Sequence, residues 1–307
     1  MIYTVTLNPA LDRTLTVPRL LLNDVLRAQG TRLDWGGKGF NVSRALLALG
    51  ECSTALGFMG GETGRRMEKG LNDLGIRTEF IYTAEETRTN IIIQEAGSEQ
   101  HIKVNEHGPS VSQAEQAALL SLVERKVQPG EYWLLCGSLP PGLPADFYAQ
   151  LIQRLQAGGA KACLDTSGEA LRLGLRARPF LIKPNRSEAE ELAGHSVRTE
   201  AEINRAAAFF LQQGVERVAI SLGGDGLHLS STQQSVQARP PAVSIQNPTG
   251  AGDALLAGLL WAFMNGCTLA EAARWGVAAG TTAAQQPGVE FGTRQEVEML
   301  YEAVITR

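Results

Sequence analysis

The sequence predicts an α/β protein whose mainly parallel sheet is covered by helices, and three observations carry that expectation. Short apolar runs of strand length alternate with amphipathic runs of helical length along most of the 307 residues, the pattern of repeated βαβ units. Most of the amphipathic runs stop at a glycine, the residue that most readily takes the left-handed conformation closing a helix. Two segments break the rhythm and alternate in strand fashion with no helix between their parts.

In chain order, "IYTVTL" reads as the first strand and is followed by "DRTLTVPRLLLNDVLRAQGTRLDW", the first rhythm-breaking segment, spanning about 10–36. The helix "NVSRALLALG" closes at Gly50, the strand "STALGFMG" follows, and the helix "GRRMEKGLNDLG" closes at Gly75. The second rhythm-breaking segment, "TRTNIIIQEAGSEQHIKVNEHG", covers about 87–107, and the two together are expected to make a small antiparallel sheet projecting from the main body. Strands "YWLLCGS", "KACLDT", "FLIKPN" and "VAISLGGDG" then alternate with helices "QAEQAALLSLVERK", "ADFYAQLIQRLQAGG", "EAEELAG" and "TEAEINRAAAFFLQQG". "ALLAGLLWAFM" reads as a buried core helix, and from residue 265 the chain reads as helices to its end, with a bend near "AAQQPGVEFG". No internal repeat, low-complexity tract or linker divides the chain, so residues 1–307 are expected to form one domain.

A hydrophobic content of 44% is ample for a core, and a net charge of −4 argues against general nucleic-acid binding, which needs a basic face. Any anionic ligand must therefore be held by a few local cations. The start "MIYTVTLNPALD" alternates like a strand and has no basic region leading into a long apolar stretch, so it is not read as a secretion signal and a cytoplasmic protein is expected. The longest apolar run is too short to span a bilayer, so no membrane role is expected. Cys52, Cys136, Cys163 and Cys267 are far apart, lack C-x-x-C spacing and lie in apolar surroundings; all four are expected to be buried, reduced thiols.

The stretch "NPTGAGDALLAG" places Gly250, Ala251 and Gly252 before an apolar helix and Asp253 in its first turn. An acid there can simply favour the helix dipole, but the flanking glycines let backbone N–H groups converge on an anion. The helix N-terminus should lower the Asp253 pKa, leaving the acid ionised at rest. A second glycine cluster, "WGGKGFNVSRALLALG", leads Lys38 and Asn41 into a helix; it is ordinary turn punctuation or a site for an anion or hydroxyls, and fits neither the Walker A nor the dinucleotide-binding spacing. In "LIKPNRSEAEEL", Asn185 and Glu188 have the spacing of a capping box, and equally of an oxygen-rich edge for hydrated Mg²⁺ beside Lys183. "ISLGGDGLHL", with Ser221, Gly223 and Gly226, reads as a hairpin turn or a backbone surface for a nucleotide, and "CGSLPPGLP" puts Ser138 on a loop after an apolar strand.

"GGKGFN", "KPNRSE" and "TGAGD", in this order and at these distances, resemble the ribokinase-like (PfkB) carbohydrate kinases over essentially the whole chain. "TLNPALD", "TRTNI" and "CGSLPPG" narrow the resemblance to the branch that phosphorylates sugar phosphates: 1-phosphofructokinase, tagatose-6-phosphate kinase and the minor 6-phosphofructokinase. The resemblance implies a three-layer α/β sandwich whose small β-sheet acts as a lid, here the two rhythm-breaking segments, and an assembly that can pair as a homodimer through that lid. It implies ATP and Mg²⁺ as cofactors, with Asp253 as catalytic base and Gly250, Ala251 and Gly252 as an anion hole. It places Asp12, Gly37, Lys38, Asn41 and Asn90 around the sugar, and Arg27, Arg88 and Ser138 on the substrate phosphate. Lys183, Asn185, Ser221, Gly223 and Gly226 fall to the nucleotide, and Asn185 with Glu188 to the metal.

Two departures are informative. Val25 stands where the minor 6-phosphofructokinase has a lysine two residues before its lid arginine, which leans towards fructose 1-phosphate as substrate, with tagatose 6-phosphate next. Asn247 and Pro248 are less usual before the glycine run. Of readings from other classes, a dinucleotide-dependent oxidoreductase lacks a strand–G-x-G-x-x-G–helix unit with its downstream acid, and a non-catalytic sugar sensor would not need Asp253.

Overall fold

The computed structural model describes residues 1–98 and 100–307; residue 99, inside the second rhythm-breaking segment, lies outside the described residues. The N-terminal part carries β1 (Ile2–Thr6), β2 (Ala10–Val17), β3 (Gly30–Gly36), α1 (Lys38–Ala48), β4 (Ser53–Gly60), α2 (Gly61–Asp73), β5 (Arg77–Thr83), β6 (Arg88–Glu95) and β7 (His101–Val104). The middle carries α3 (Gln113–Lys126), β8 (Tyr132–Cys136), α4 (Phe147–Ala157), β9 (Lys161–Asp165), α5 (Gly168–Leu175), β10 (Leu181–Ile182), α6 (Arg186–Ala193) and α7 (Glu200–Gln212). β11 (Arg217–Ser221), β12 (Leu227–Ser231), β13 (Ser235–Arg239), α8 (Ala251–Met264), α9 (Leu269–Ala284), α10 (Arg294–Ala303) and β14 (Ile305–Thr306) complete the chain.

The large sheet runs β14-β13-β12-β11-β10-β9-β8-β1-β4-β5. From β5 to β11 every neighbouring pair is parallel, and β12, β13 and β14 add an antiparallel edge. Strands such as β1, β4 and β8 are buried along their whole length, as a sheet covered on both faces requires. One core cluster packs α1, α8, α9 and α10 on one face, with Leu46, Leu259, Val277 and Val297; another packs α3 to α7 on the other, with Val123, Leu151, Leu171, Ala189 and Phe210. This is the ribokinase-like three-layer sandwich. Among the described residues no helix is long and apolar enough to cross a membrane.

Local sequence explains half of the helix starts. Ser112, Asn185, Thr199, Thr268 and Thr293 each form a capping box with a Glu three residues on, so the first-turn N–H groups and the cap N–H are satisfied reciprocally. α8 is different: its N-cap is Gly250 in the left-handed conformation, φ 83°, with no side-chain cap. The whole stretch from Asp253 to Ala262 is buried, because α8 packs between α1 and α9.

Several expectations are corrected. The chain does not end in helix: β14 pairs with β13, closing the antiparallel edge. β5, β13 and helix α5 were not foreseen; the strands are half polar, and α5 spans only two turns. The small sheet, β3-β2-β6-β7, is mixed and not antiparallel, since β2 pairs parallel with β6. Both strands leave the carboxyl ends of large-sheet strands, β1 and β5, so they run outward side by side. Cys136 and Cys163 are buried and Cys267 is half-buried, but Cys52 is exposed, because it sits on the turn between α1 and β4.

The α8–α9 crossing rests on Gly258, where an added Cβ would lie 2.5 Å from the Trp275 carbonyl oxygen. Gly258→Ala should lower the melting temperature, although alanine is the better helix former by about 1 kcal/mol, since overpacking against backbone costs about 1–3 kcal/mol. A variant melting at or above the parent in differential scanning calorimetry would contradict this packing.

Candidate active site

The site forms where the parallel strands end at their carboxyl edge, the usual ligand-binding edge of an open α/β sheet. Asp165 closes β9, Cys136 closes β8, Ser221 closes β11, and Lys183 follows β10 directly. Pro184 has no N–H to continue the ladder, and an isolated parallel bridge sets Asn185 against Ser221. α1 reaches the same edge because Gly39 lies almost on β1: a Cβ there would be 2.4 Å from Thr6 Oγ1.

Asp253 is buried, and its carboxylate does not cap its own helix. Instead Asn41 Nδ2 donates to Asp253 Oδ2 at 2.8 Å, linking the two glycine-led helices. The expected lowering of its pKa by the helix N-terminus is overturned. Burial, together with the Asp165 carboxylate, outweighs the Asn41 hydrogen bond and the Lys38 and Lys183 charges, and pushes Asp253 up to about 6.

Asp165, which the sequence reading did not single out, is the centre of this charge cluster. Its side chain is fully buried, and one oxygen, Oδ1, takes both Lys38 Nζ at 3.0 Å and Lys183 Nζ at 3.4 Å. Burial alone would lower the Lys38 pKa, but the Asp165 and Asp253 carboxylates overcome it and push that pKa up. The signal available in the sequence was only an acid ending an apolar strand, "KACLD".

On one side of the α8 N-terminus lies a cavity of about 710 Å³, lined by Asn185, Ser221, Gly223 and Gly226 and by Gly252 and Ala251. The hairpin reading of "ISLGGDG" holds, since β11 and β12 pair antiparallel, and the hairpin turn forms one wall of the cavity. Apolar wall residues such as Pro240, Ile245, Val277 and Ala284 were missed, since apolar residues carry no chemical signature in sequence. The Gly252 and Asp253 N–H groups fall in the first turn, where the helix supplies no acceptor. The Ala251 N–H already donates to the Pro248 carbonyl at 3.2 Å, in a turn that Asn247 braces by donating to the Gly288 carbonyl and accepting from the Thr249 N–H.

Asn185 and Glu188 form the capping box: Asn185 N–H donates to Glu188 Oε2 at 2.8 Å, and Glu188 N–H to Asn185 Oδ1 at 2.9 Å. The box uses one Glu188 oxygen, and among the described residues no cluster of three or more potential metal ligands exists. A lone carboxylate, capping Asn185 at the edge of a nucleotide-sized cavity, suits Mg²⁺, which keeps water and phosphate oxygens as its other ligands, and not a cation that needs a protein cage.

The other predicted residues gather beyond Asn41, with one exception. Asn90 Nδ2 donates to Asp12 Oδ1 at 2.7 Å across the parallel β2–β6 pair, and burial raises the Asp12 pKa. Gly36 and Gly37 lead the chain from β3 into α1 at Lys38, and a Cβ on Gly36 would lie 2.5 Å from Asp12 Oδ2. Asn8 Nδ2 points at Ser138 Oγ, 3.4 Å away. Arg88 is half-buried and donates to the carbonyls of Asn8, Pro9 and Glu106, and burial lowers its pKa. Arg27 stands apart, exposed on the loop between β2 and β3, with no hydrogen bond or ion pair to the described residues.

The pfkB family carbohydrate kinase model matches residues 6–296. The chain is 33% identical to a 1-phosphofructokinase of Vibrio cholerae over 304 residues, covering 99% of this chain and 95% of that protein. It is 35% identical to a 1-phosphofructokinase of Bacillus subtilis over 308 residues, covering all of both. Among solved structures, phosphofructokinase-2 from Escherichia coli in complex with substrates and products superposes with a TM-score of 0.92 at 30% identity, covering 98% of each chain. With a family match over nearly its full length and relatives aligned end to end, the chain belongs to the pfkB family of carbohydrate kinases.

Proposed function

We propose that this protein is an ATP-dependent 1-phosphofructokinase that transfers a phosphoryl group to the free 6-hydroxyl of fructose 1-phosphate, giving fructose 1,6-bisphosphate. The observation that carries the reading is the two-sided first turn of α8. Gly252 faces the large cavity, while Asp253, next in the chain, faces Asn41. A nucleotide in the cavity and a sugar beyond Asn41 would meet across one helix terminus. Full-length relatives named 1-phosphofructokinase support the choice of substrate.

In this reading Asn41 holds Asp253 Oδ2, which leaves Oδ1 to accept the hydroxyl proton. Phosphoryl transfer passes through a loose transition state and depends on positioning and charge neutralisation more than on a strong base, so a pKa of about 6 is serviceable. Gly250, Gly252 and the Asp253 N–H serve as the anion hole for the transferring group, with Ala251 shaping the turn through Pro248. Lys183 lies on the nucleotide side, where a Cβ on Gly252 would be 3.6 Å from its Nζ, and Lys38 lies on the sugar side. Ser221, Gly223 and Gly226 contact the nucleotide. Asn185 and Glu188 would hold Mg²⁺, which when bound neutralises charge on the phosphates. Asp12, Asn90 and Gly37 bind sugar hydroxyls; Arg27, Arg88 and Ser138 bind the phosphate already on the sugar. The small sheet is the lid, and closing it brings Arg27 in. A coupled ADP-release screen of fructose 1-phosphate, fructose 6-phosphate, tagatose 6-phosphate and free fructose should give fructose 1-phosphate the highest kcat/KM; equal turnover of free fructose sinks the reading.

Asp253→Asn should cut kcat by about 10²- to 10⁴-fold with ATP affinity and melting temperature retained, and parent kcat/KM should fall as the pH drops through about 6, where Asp253 gains its proton. Turnover within a few-fold of the parent would return Asp253 to a structural role.

Glu188→Gln keeps the capping box, so the melting temperature should hold while the Mg²⁺ concentration for half-maximal rate rises. An unchanged Mg²⁺ titration leaves Glu188 as a cap alone.

Arg27→Ala should lower kcat/KM for the sugar phosphate about 10- to 150-fold, the worth of one charge-assisted hydrogen bond, with no change in melting temperature or KM for ATP. Arg88→Ala should do the same but also melt earlier, because three backbone carbonyls lose their donor. An Arg27→Ala enzyme indistinguishable from the parent would mean that the loop never reaches the substrate.

A further inference from the structure

We infer that Asp165 is a positioning residue for the transfer: its single buried carboxylate holds the Lys38 and Lys183 ammonium groups on one oxygen, so that the sugar side and the nucleotide side of the site share one anchor. The inference rests on the kinase reading above. The geometry is specific. Lys38 comes from the first residue of α1, Lys183 from just past β10, and Asp165 from the end of β9, so three separately packed elements converge on Oδ1. The lysines differ in environment: Lys183 has 6% of its side chain exposed and Lys38 39%. Lys183 is thus fixed in the wall, while Lys38 keeps its outer face free for a ligand. The second Asp165 oxygen is buried with no hydrogen-bond partner, so nothing but the two ammonium groups compensates this carboxylate within the described residues.

A buried anion placed between two cations does two things. It stops Lys38 and Lys183 from repelling each other, allowing both to stand beside one phosphoryl path. It also sets the field at the base. The groups facing Asp253 are Asp165 from β9, Lys38 and Asn41 from α1, Lys183 after β10 and the buried Cys136 thiol at the end of β8. Asp165 is the one anion among them, and it opposes ionisation of Asp253 while the lysines favour it. Exchanging Asp165 for a neutral residue leaves two unopposed cations and must make Asp253 easier to ionise.

The test compares the pH dependence of kcat/KM for fructose 1-phosphate in the full chain, its Asp165→Asn variant and its Lys38→Met variant. Titration of the substrate phosphate is common to all three and cancels in the comparison. Asp165→Asn should move the acid limb down by about one pH unit and lower kcat roughly 10- to 100-fold through misplaced lysines. Lys38→Met removes a cation instead, and its acid limb should move up. A merely structural role for Asp165 predicts a lower melting temperature and less active protein with the limb in place. If Asp165→Asn does not fold, Lys38→Met carries the test, being changed at a half-exposed position. An active parent whose folded variants keep its acid limb overturns this inference alone, whereas a parent that phosphorylates no sugar phosphate overturns the function as well.

Discussion

Four charged side chains, three of them buried, meet at the carboxyl edge of the sheet, and their mutual compensation is the constraint on which the rest of the site depends. Asp165, Asp253 and Lys183 are buried, and Lys38 has one open face. Charges can be kept out of water only when paired and hydrogen-bonded, and removing one partner of such a group leaves the other expensive to bury. The cluster is neutral in total, two acids against two bases, while every pairing in it joins different secondary-structure elements. The carboxyl edge of the sheet must therefore hold β9, β10, α1 and α8 in fixed relation, and the layers packed on both sheet faces supply that rigidity.

Close backbone approach is how those elements are brought near enough. α1 rides on β1 because Gly39 leaves no side chain against Thr6, and α8 meets α9 because Gly258 leaves none against the Trp275 carbonyl. The two contacts align the glycine-led ends of α1 and α8 so that Asn41 reaches Asp253. The glycines of "GGKGFN" thus have a packing reason as well as a place beside the site, and a single substitution there would move Asn41 and Asp253 together.

The small sheet is joined to the body through a packed root. Leu11, Leu33 and Trp35 pack with Phe40, Met59 and Met67 at its root, and the Trp35 ring lies on Gly70 of α2. Arg88 fastens the start of β6 to the Asn8 and Pro9 carbonyls where β1 gives way to β2, and to Glu106 beyond β7. The root is anchored, whereas the loop bearing Arg27 is mostly exposed and is tied near its two ends, by Leu20 N–H to Glu95 Oε2 and by Gln29 N–H to the Thr16 carbonyl.

Much of this was legible in sequence because it is local. Hydrophobic periodicity marked the alternating strands and helices, the rhythm-breaking segments marked the small sheet, and the glycine-rich runs marked both helix starts of the site. The capping box at Asn185 and Glu188 was also readable, since a cap depends on residues three apart. Register and partners were not. The parallel β2–β6 pair, the two-residue β14 on β13, the apolar cavity wall and the anchoring of Arg88 all join residues distant in the chain. The Asp253 pKa is the clearest case. Position in a first helical turn argues for a lowered value, but burial and Asp165, 88 residues earlier, decide it the other way. Sequence determines which groups are present and the local conformation each prefers. Only the tertiary structure decides how much water each one keeps and which charges face it, and in a medium of low polarity those two quantities dominate the chemistry.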